Sequence, residues 1–296
     1  MGRFKTPLRY PGGKQKLTPF IKEILDTNSI DGHYIEPYAG GSGVAIELLL
    51  SKKVTDIHLN DSDLGIYAFW YSVINHTDEL CRKILTASMT IEEWRRRQQI
   101  VKKSNKEDLL ELGFSTFYLN RCNRSGVIKA GVIGGLNQSG DYKMYARFNR
   151  NNLINRIESI ALYKDRIHIS NMDAEFYIEN YLPNVPDNSL IYLDPPYYNK
   201  ASDLYLNSYK NEDHSRIGEK IQNEIKQNWV LSYDGVPEII DIYSNRRHFL
   251  YDLQYYVQTV KKGKEVFIFD DQLILPSKCS IEYVNEGLKN TVNYIS

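Results

Sequence analysis

The residues with the most distinctive chemistry are Asp194-Pro195-Pro196-Tyr197. A carboxylate precedes two residues that have no backbone N–H, and an aromatic ring follows. The result is a stiff site of acceptors, suited to a flat group that carries an NH₂, such as the amine of a base. The same four residues also suit an ordinary turn whose Asp acts as a cap. A second set is Arg9-Tyr10-Pro11-Gly12-Gly13-Lys14. It has the look of a partial phosphate loop, but Gln15 stands where Mg²⁺ binding needs Ser or Thr, and no strand precedes it. The remaining reading is a glycine turn that sets Lys14 and the Tyr10 ring over a ligand. A third set runs from His33 through Glu36-Pro37-Tyr38-Ala39-Gly40-Gly41-Ser42-Gly43. Small residues there let a backbone approach a ligand closely. The pattern is not G-x-G-x-x-G, so no dinucleotide pyrophosphate is implied. Farther on, Asn60-Asp61 closes a short apolar run, and an acid in that place is suited to ribose hydroxyls, with Asp63 as the alternative. Loop and acid together favour a nucleoside-containing cofactor over plain turn chemistry.

These sets need elements to hold them. Leu190 to Leu193 is an apolar run bounded by turn formers, which reads as a buried parallel strand that the prolines end. Asp194 then stands at the carboxyl end of a strand, where open α/β sheets bind ligands. The segment 33–50 reads as strand, small-residue turn and apolar helix, the first unit of a Rossmann-like sheet. Leu17 to Leu25 reads as a short helix and Asp56 to Leu59 as the second strand. Helical patterns follow at Leu64–Ile74, Asp78–Ala87, Ile91–Val101 and Leu109–Leu119. No strand or glycine turn interrupts them, so they read as a helical domain inserted into the sheet. The α/β pattern resumes with a helix at Leu153–Leu162, a strand at Ile167–Ser170 and a turn or cap at Met172-Asp173-Ala174. A helix at Asp213–Ile225, a strand at Trp229–Ser232 and a short helix at Glu238–Tyr243 come next. Phe249–Val260 and Glu265–Asp270 form a terminal hairpin joined at Lys261–Lys264. His168, His214 and His248 read as structural, with His214 beside Asp213 as one that could line the site.

At 296 residues and 42% hydrophobic content the chain can build one or two cored domains. Its net charge is zero, but between Arg82 and Arg150 fourteen Lys and Arg face six Asp and Glu, an excess of eight. A basic middle suggests a part that faces a polyanion, against the alternative of a solvated helical surface. Residues 120–149 hold five of the eighteen glycines in a long polar loop. Loops of that length in compact domains are usually functional. Arg121, Arg124, Ser125, Lys129, Lys143, Arg147 and Asn149 are side chains of the kinds that bind phosphates and base edges. Cys81, Cys122 and Cys279 are far apart and lack zinc spacing. A reducing, cytoplasmic setting without metal is expected. The basic start has no signal-peptide pattern, and no apolar run reaches membrane length.

Read together and in order, Arg9 to Lys14, Glu36 to Gly40, the basic insert and Asp194 to Tyr197 resemble the Dam-like DNA adenine N(6)-methyltransferases. The resemblance spans nearly the whole chain. It implies a Rossmann-like S-adenosylmethionine-dependent methyltransferase sheet, with residues 1–63 and 153–296 catalytic and 64–152 an inserted, mainly helical target-recognition domain. It implies S-adenosylmethionine held by Tyr10, Lys14, Glu36, Tyr38, Gly40, Asp61, Asp173 and Asp194. It implies catalysis by Asp194, Pro195, Pro196 and Tyr197 on an adenine flipped out of double-stranded DNA. A cognate restriction endonuclease is a possible partner. Tyr38 replaces the usual Phe and Ser42 a usual Gly, and residues 120–126 follow the GATC-specific members in their first half only.

In chemical terms, the adenine amine is a poor nucleophile because its lone pair is delocalised. Asp194 and the Pro195 carbonyl can each accept one amine N–H, which favours a tetrahedral nitrogen and meets its growing positive charge. Tyr197 would stack on the base, worth roughly 1–3 kcal/mol. The alternatives are transfer to another amine (cytosine, RNA or protein) or a catalytically silent DNA-binding relative. The basic insert and the motif order argue against the first, and the intact Asp194 to Tyr197 argues against the second.

Overall fold

The structure, a computed structural model, describes residues 5–9, 14–198, 209–255 and 261–276. Seven strands form one sheet: β1 (His33–Glu36), β2 (Asp56–Asn60), β3 (Ile167–Ser170), β4 (Ser189–Leu193), β5 (Asn228–Asp234), β6 (Arg247–Tyr255) and β7 (Lys261–Phe269). Their order is β3-β2-β1-β4-β5-β7-β6. The first five are parallel, whereas β7 runs antiparallel to both β5 and β6. Helices α1 (Thr18–Thr27), α2 (Gly43–Leu50), α3 (Leu64–Asn75), α4 (Thr77–Thr86), α5 (Ile91–Lys103), α6 (Leu109–Cys122), α7 (Arg150–Ala161), α8 (Ala174–Asn180), α9 (Asn211–Glu224) and α10 (Pro237–Ile242) complete the described elements.

The strands are apolar on both sides because both faces are covered. On β4 the alternation is direct: Leu190 and Tyr192 join one core, Ile191 and Leu193 the other. The first core takes side chains from α1, α2, α3, α6 and α7, and the second from α8, α9 and α10. Thus α3 to α7 fill the long crossover from β2 to β3. Phe69, Trp70, Phe117, Tyr118 and Phe148 from this stretch share the core of Ile57, Leu59 and Leu190. Gly113 of α6 lets α3 approach closely, since a Cβ there would lie 2.3 Å from the Ala68 carbonyl oxygen.

Two local expectations change. Met172-Asp173-Ala174, expected as a turn or cap, holds a cap: Asp173 caps α8, a helix not expected there, which buries Ala174, Tyr177 and Ile178 on one face. Residues 261–264, expected as the hairpin join, pair with β6 as part of β7. Residues 256–260, expected to finish the first hairpin strand, lie outside the described residues. Among those described, no helix is long and apolar enough to cross a membrane.

Candidate active site

The sheet order reverses at β1, whose neighbours are β2 and β4. The crevice at the carboxyl ends of these strands is therefore the topological switch point. The turn after β1 is held by the end of β2. The Ala39 N–H donates to the Asn60 carbonyl at 2.8 Å, and the Gly40 N–H donates to Asp61 Oδ2 at 2.8 Å. Gly40 has φ +46°, which glycine adopts without strain. Trp70 Nε1 donates to the Gly40 carbonyl at 3.1 Å. Asp61 Oδ1 accepts the Asp63 N–H at 2.9 Å, while Asp63 Oδ1 caps α3 by accepting from Gly65 at 2.7 Å. Both candidate ribose acids thus also shape the backbone. Burial, then the Asp63 charge, pushes Asp61 up to about 7. Glu36 accepts the Ala45 N–H of α2 at 3.3 Å, and burial pushes it up to about 8. Tyr38 places its hydroxyl 2.9 Å from that of Tyr209.

Asp194 follows β4 and is pinned from the neighbouring strands. Ser232 of β5 donates to Asp194 Oδ1 at 3.1 Å and lies 2.7 Å from the Tyr192 hydroxyl. Asp234 of β5 accepts the Tyr198 N–H at 2.9 Å. Lys14 Nζ stands 3.3 Å from Asp194 Oδ1 and 2.7 Å from Glu265 Oε2, and it donates to the Tyr197 hydroxyl at 2.7 Å. The Tyr197 hydroxyl in turn donates to Glu265. Burial raises the Asp194 carboxyl to about 6; Lys14 opposes the rise and Glu265 adds to it. Lys14 itself sits well above its ordinary value: burial opposes this, and the carboxylates of Asp194 and Glu265 with the hydroxyls of Tyr197 and Tyr251 outweigh it.

The other expected site residues are placed as follows. Lys14, expected to help hold the cofactor, pairs with Asp194 and Glu265. Tyr197 is only 4% exposed and its hydroxyl points to Lys14 and Glu265. Asp173 is an exposed helix cap that accepts the Glu175 N–H. Tyr10 lies outside the described residues. His214 is buried among Tyr198, Tyr209 and Tyr233 and backs the segment after β4.

The loop after α6 divides sharply. Arg121 turns inward, with Nε on the Arg147 carbonyl at 2.7 Å and a second nitrogen on the Pro7 carbonyl at 3.3 Å. Lys143 Nζ braces the carbonyls of Gln138 and Gly140 at 2.7 and 3.0 Å. Asn149 caps α7. All three bond to backbone groups, and of them Asn149 is exposed. Arg124, Ser125 and Arg147 are exposed and, with Arg9 and Tyr142, line a cleft of about 390 Å³. Lys129 is also exposed, and its charge favours the ionised form of Asp63.

Glu265 and Ser232 were not anticipated, and Arg9 and Asn120 stood within quoted motifs without a role. Glu265 carried a signal: it is a lone acid opening the apolar run Val266 to Phe269. Ser232 and Asn120 have no such mark, because only the fold brings them to their partners.

The crevice fits a cationic nucleoside. Its side chains at the ends of β1, β2 and β4 include four carboxyl groups (Glu36, Asp61, Asp63 and Asp194), which can bond hydroxyls and an amine, and Asp194 when ionised suits positive charge.

A family model described as D12 class N6 adenine-specific DNA methyltransferase matches residues 10–259. Type II methyltransferase M.CviBI of Paramecium bursaria Chlorella virus NC1A is 24% identical over 257 residues, 85% of this chain and 91% of that protein. Type II methyltransferase M.MjaIII of Methanocaldococcus jannaschii is 26% identical over 211 residues, 66% of this chain and 70% of that protein. Among solved structures, the rRNA methyltransferase aviRa from Streptomyces viridochromogenes aligns with a TM-score of 0.39 at 12% identity, covering 88% of this chain and 86% of that one.

Proposed function

The chain belongs to the D12 class of N6 adenine-specific DNA methyltransferases, and on that premise we propose how its own residues carry the transfer. The reaction moves a methyl group from S-adenosylmethionine to the exocyclic amine of adenine in DNA. Glu36, Tyr38, Gly40 and Asp61 hold the cofactor in the crevice after β1 and β2. When bound, the cofactor supplies an electrophilic methyl on a sulfonium. Asp194 and the Pro195 carbonyl each accept a hydrogen bond from one amine N–H, orient the nitrogen and meet its positive charge as the new C–N bond forms, after which the nitrogen loses one proton. Both described bonds to Asp194 fall on Oδ1, so Oδ2 is available to the amine. The observation that carries this reading is the position of Asp194 at the end of β4, beside the turn after β1 and backed by Ser232.

Residues 64–152 serve as the recognition part on this reading, and residues 1–63 with 153–296 as the catalytic part. The Arg9, Arg124 and Arg147 cleft takes the phosphate backbone of a duplex from which adenine is flipped. The relatives are named Type II methyltransferases, and on that ground the chain is read as the cytoplasmic modification half of a pair with a restriction endonuclease.

The test is transfer of methyl label from S-adenosylmethionine to unmethylated genomic DNA, with modified adenines mapped, beside Asp194→Ala. Label at adenine within one short motif, lost in the variant, is expected. Undiminished labelling by Asp194→Ala would remove the carboxylate from the mechanism.

A further inference from the structure

We propose that Glu265 is a positioning residue for methyl transfer: its carboxylate draws the Lys14 ammonium off Asp194 and anchors the Tyr197 hydroxyl, leaving Asp194 open to the substrate amine. The inference rests on the reading of Asp194 given above.

Glu265 is 1% exposed and opens the buried half of β7. A buried carboxylate needs partners, and the register supplies them. Glu265 stands directly opposite Tyr251 of β6 and Asp234 of β5. The Tyr251 hydroxyl donates to Oε2, and the Tyr197 hydroxyl to Oε1. Lys14 Nζ completes the set at 2.7 Å from Oε2, against 3.3 Å from Asp194 Oδ1. The ammonium therefore leans toward the strand carboxylate and away from the one in the crevice. Lys14 also lies over the Tyr197 ring, with Nζ 5.2 Å from its centroid. Three parts of the chain that are remote in sequence, the start, the segment after β4 and β7, thus meet on one carboxylate. With Ser232 on Asp194 and Asp234 on the Tyr198 N–H, the two strands beyond β4 fix the Asp194–Tyr198 segment at three points.

Among the described residues, a neutral side chain at 265 leaves Asp194 as the one carboxylate paired with Lys14. The ammonium then closes on Asp194 and competes with the amine of the base. The charged and titratable groups that face Asp194 are Lys14, Glu265, Glu36, Tyr34, Tyr192 and Tyr233. Glu265 raises the Asp194 carboxyl and Lys14 lowers it. Removing the first and tightening the second both act downward.

The test is Glu265→Gln, which keeps the shape, assayed for kcat, for KM of both substrates and for the pH dependence of kcat. Expected is a fall in kcat of up to about a hundredfold, the cost of roughly 1 Å of misplacement. S-adenosylmethionine binding stays intact, and the acid limb moves to lower pH. A purely packing role would not move that limb. Tyr251→Phe is read beside it: with one donor gone from Oε2, the carboxylate holds Lys14 harder and the limb moves to higher pH. An acid limb unchanged in both variants, or wild-type kcat in Glu265→Gln, overturns the proposal. If the wild type itself leaves DNA unlabelled, or Asp194→Ala keeps its activity, the underlying reading fails instead.

Discussion

Asn120 gives the most informative stability test, because it ties the backbone at Arg9 onto the loop after α6. It is 1% exposed at the end of α6. Its Oδ1 accepts the Arg9 N–H at 2.7 Å, and its Nδ2 donates to the Arg9 carbonyl at 2.6 Å and the Gly126 carbonyl at 2.9 Å. Gly126 has φ +79°, and a Cβ there would lie 2.5 Å from the Arg9 carbonyl oxygen, so the two backbones are in contact. Asn120→Ala removes three hydrogen bonds. At about 1 kcal/mol net for each, the loss is about 3 kcal/mol, and more if the three backbone groups stay dry. Asn120→Asp keeps one bond but sets a carboxylate oxygen against two carbonyls, so it should destabilise at least as much. Urea unfolding at constant m-value measures the loss, and fluorescence titration with DNA measures its effect on the cleft. Because Arg9 and Arg124 then no longer share one wall, DNA affinity should fall more than cofactor affinity. A loss below about 1 kcal/mol in both variants would refute the reasoning.

Four further outcomes follow from the structure. Asp194 must be ionised to accept the amine, and its carboxyl is raised to about 6, so kcat should fall as pH drops through about 6. Glu36 is raised from 4.5 to about 8, so the folded state binds its proton more tightly than the unfolded chain. The stability from that proton is complete below about 4.5 and lost as pH rises to about 8, and Glu36→Gln should flatten this part of the melting-temperature profile. Arg124→Ala and Arg147→Ala should each lower the slope of log affinity against log salt by about one, whereas Lys143→Ala should lower stability and leave the slope alone. Gly113→Ala meets backbone atoms of Ala68, which cannot swing away, and should cost about 1–3 kcal/mol in urea unfolding despite a better helix propensity.

The parallel sheet was legible because its strands are short apolar runs that end in Glu36, Asn60-Asp61 and Asp194, each followed by residues that break a ladder. The bounds of β3 agree residue for residue, since Arg166 and Asn171 flank it with polar side chains. Helix α8 was missed, although Ala174, Tyr177 and Ile178 already have helical spacing behind a capping Asp173. A seven-residue segment gives too few repeats of that period to stand out. The site was legible where backbone chemistry defines it, at the glycines and prolines. It was opaque where side chains choose between two partners. Nothing in the residue type says that Arg121 turns in to the Pro7 and Arg147 carbonyls while Arg124 turns out. Nor does it say that Tyr197 gives its hydroxyl to a glutamate 68 residues away.

The excess of eight positive charges between residues 82 and 150 is also distributed in a way that only the fold decides. Lys83, Arg96 and Arg97 are spent on Glu111 and Glu93, and the Arg97 guanidinium lies 4.4 Å from the centre of the Phe114 ring. That part of the charge holds α4, α5 and α6 together and has little reach into solvent. The opposite holds at the end of α6. Burial, then Arg9 and Arg156, pushes the Arg121 guanidinium down to about 9, and Arg147 adds to the fall. Arg9 is lowered in its turn by burial and by Arg147. Like charges are thus crowded at one wall of the cleft, where Asp141 is the one acidic residue among those lining it. Crowding of this kind destabilises the free protein and is relieved by an anion. On the proposed reading that anion is a phosphodiester of the DNA. The recognition surface is then smaller than the basic stretch of sequence and confined to the Arg9, Arg124 and Arg147 wall, where Asn120 fastens the backbone of Arg9.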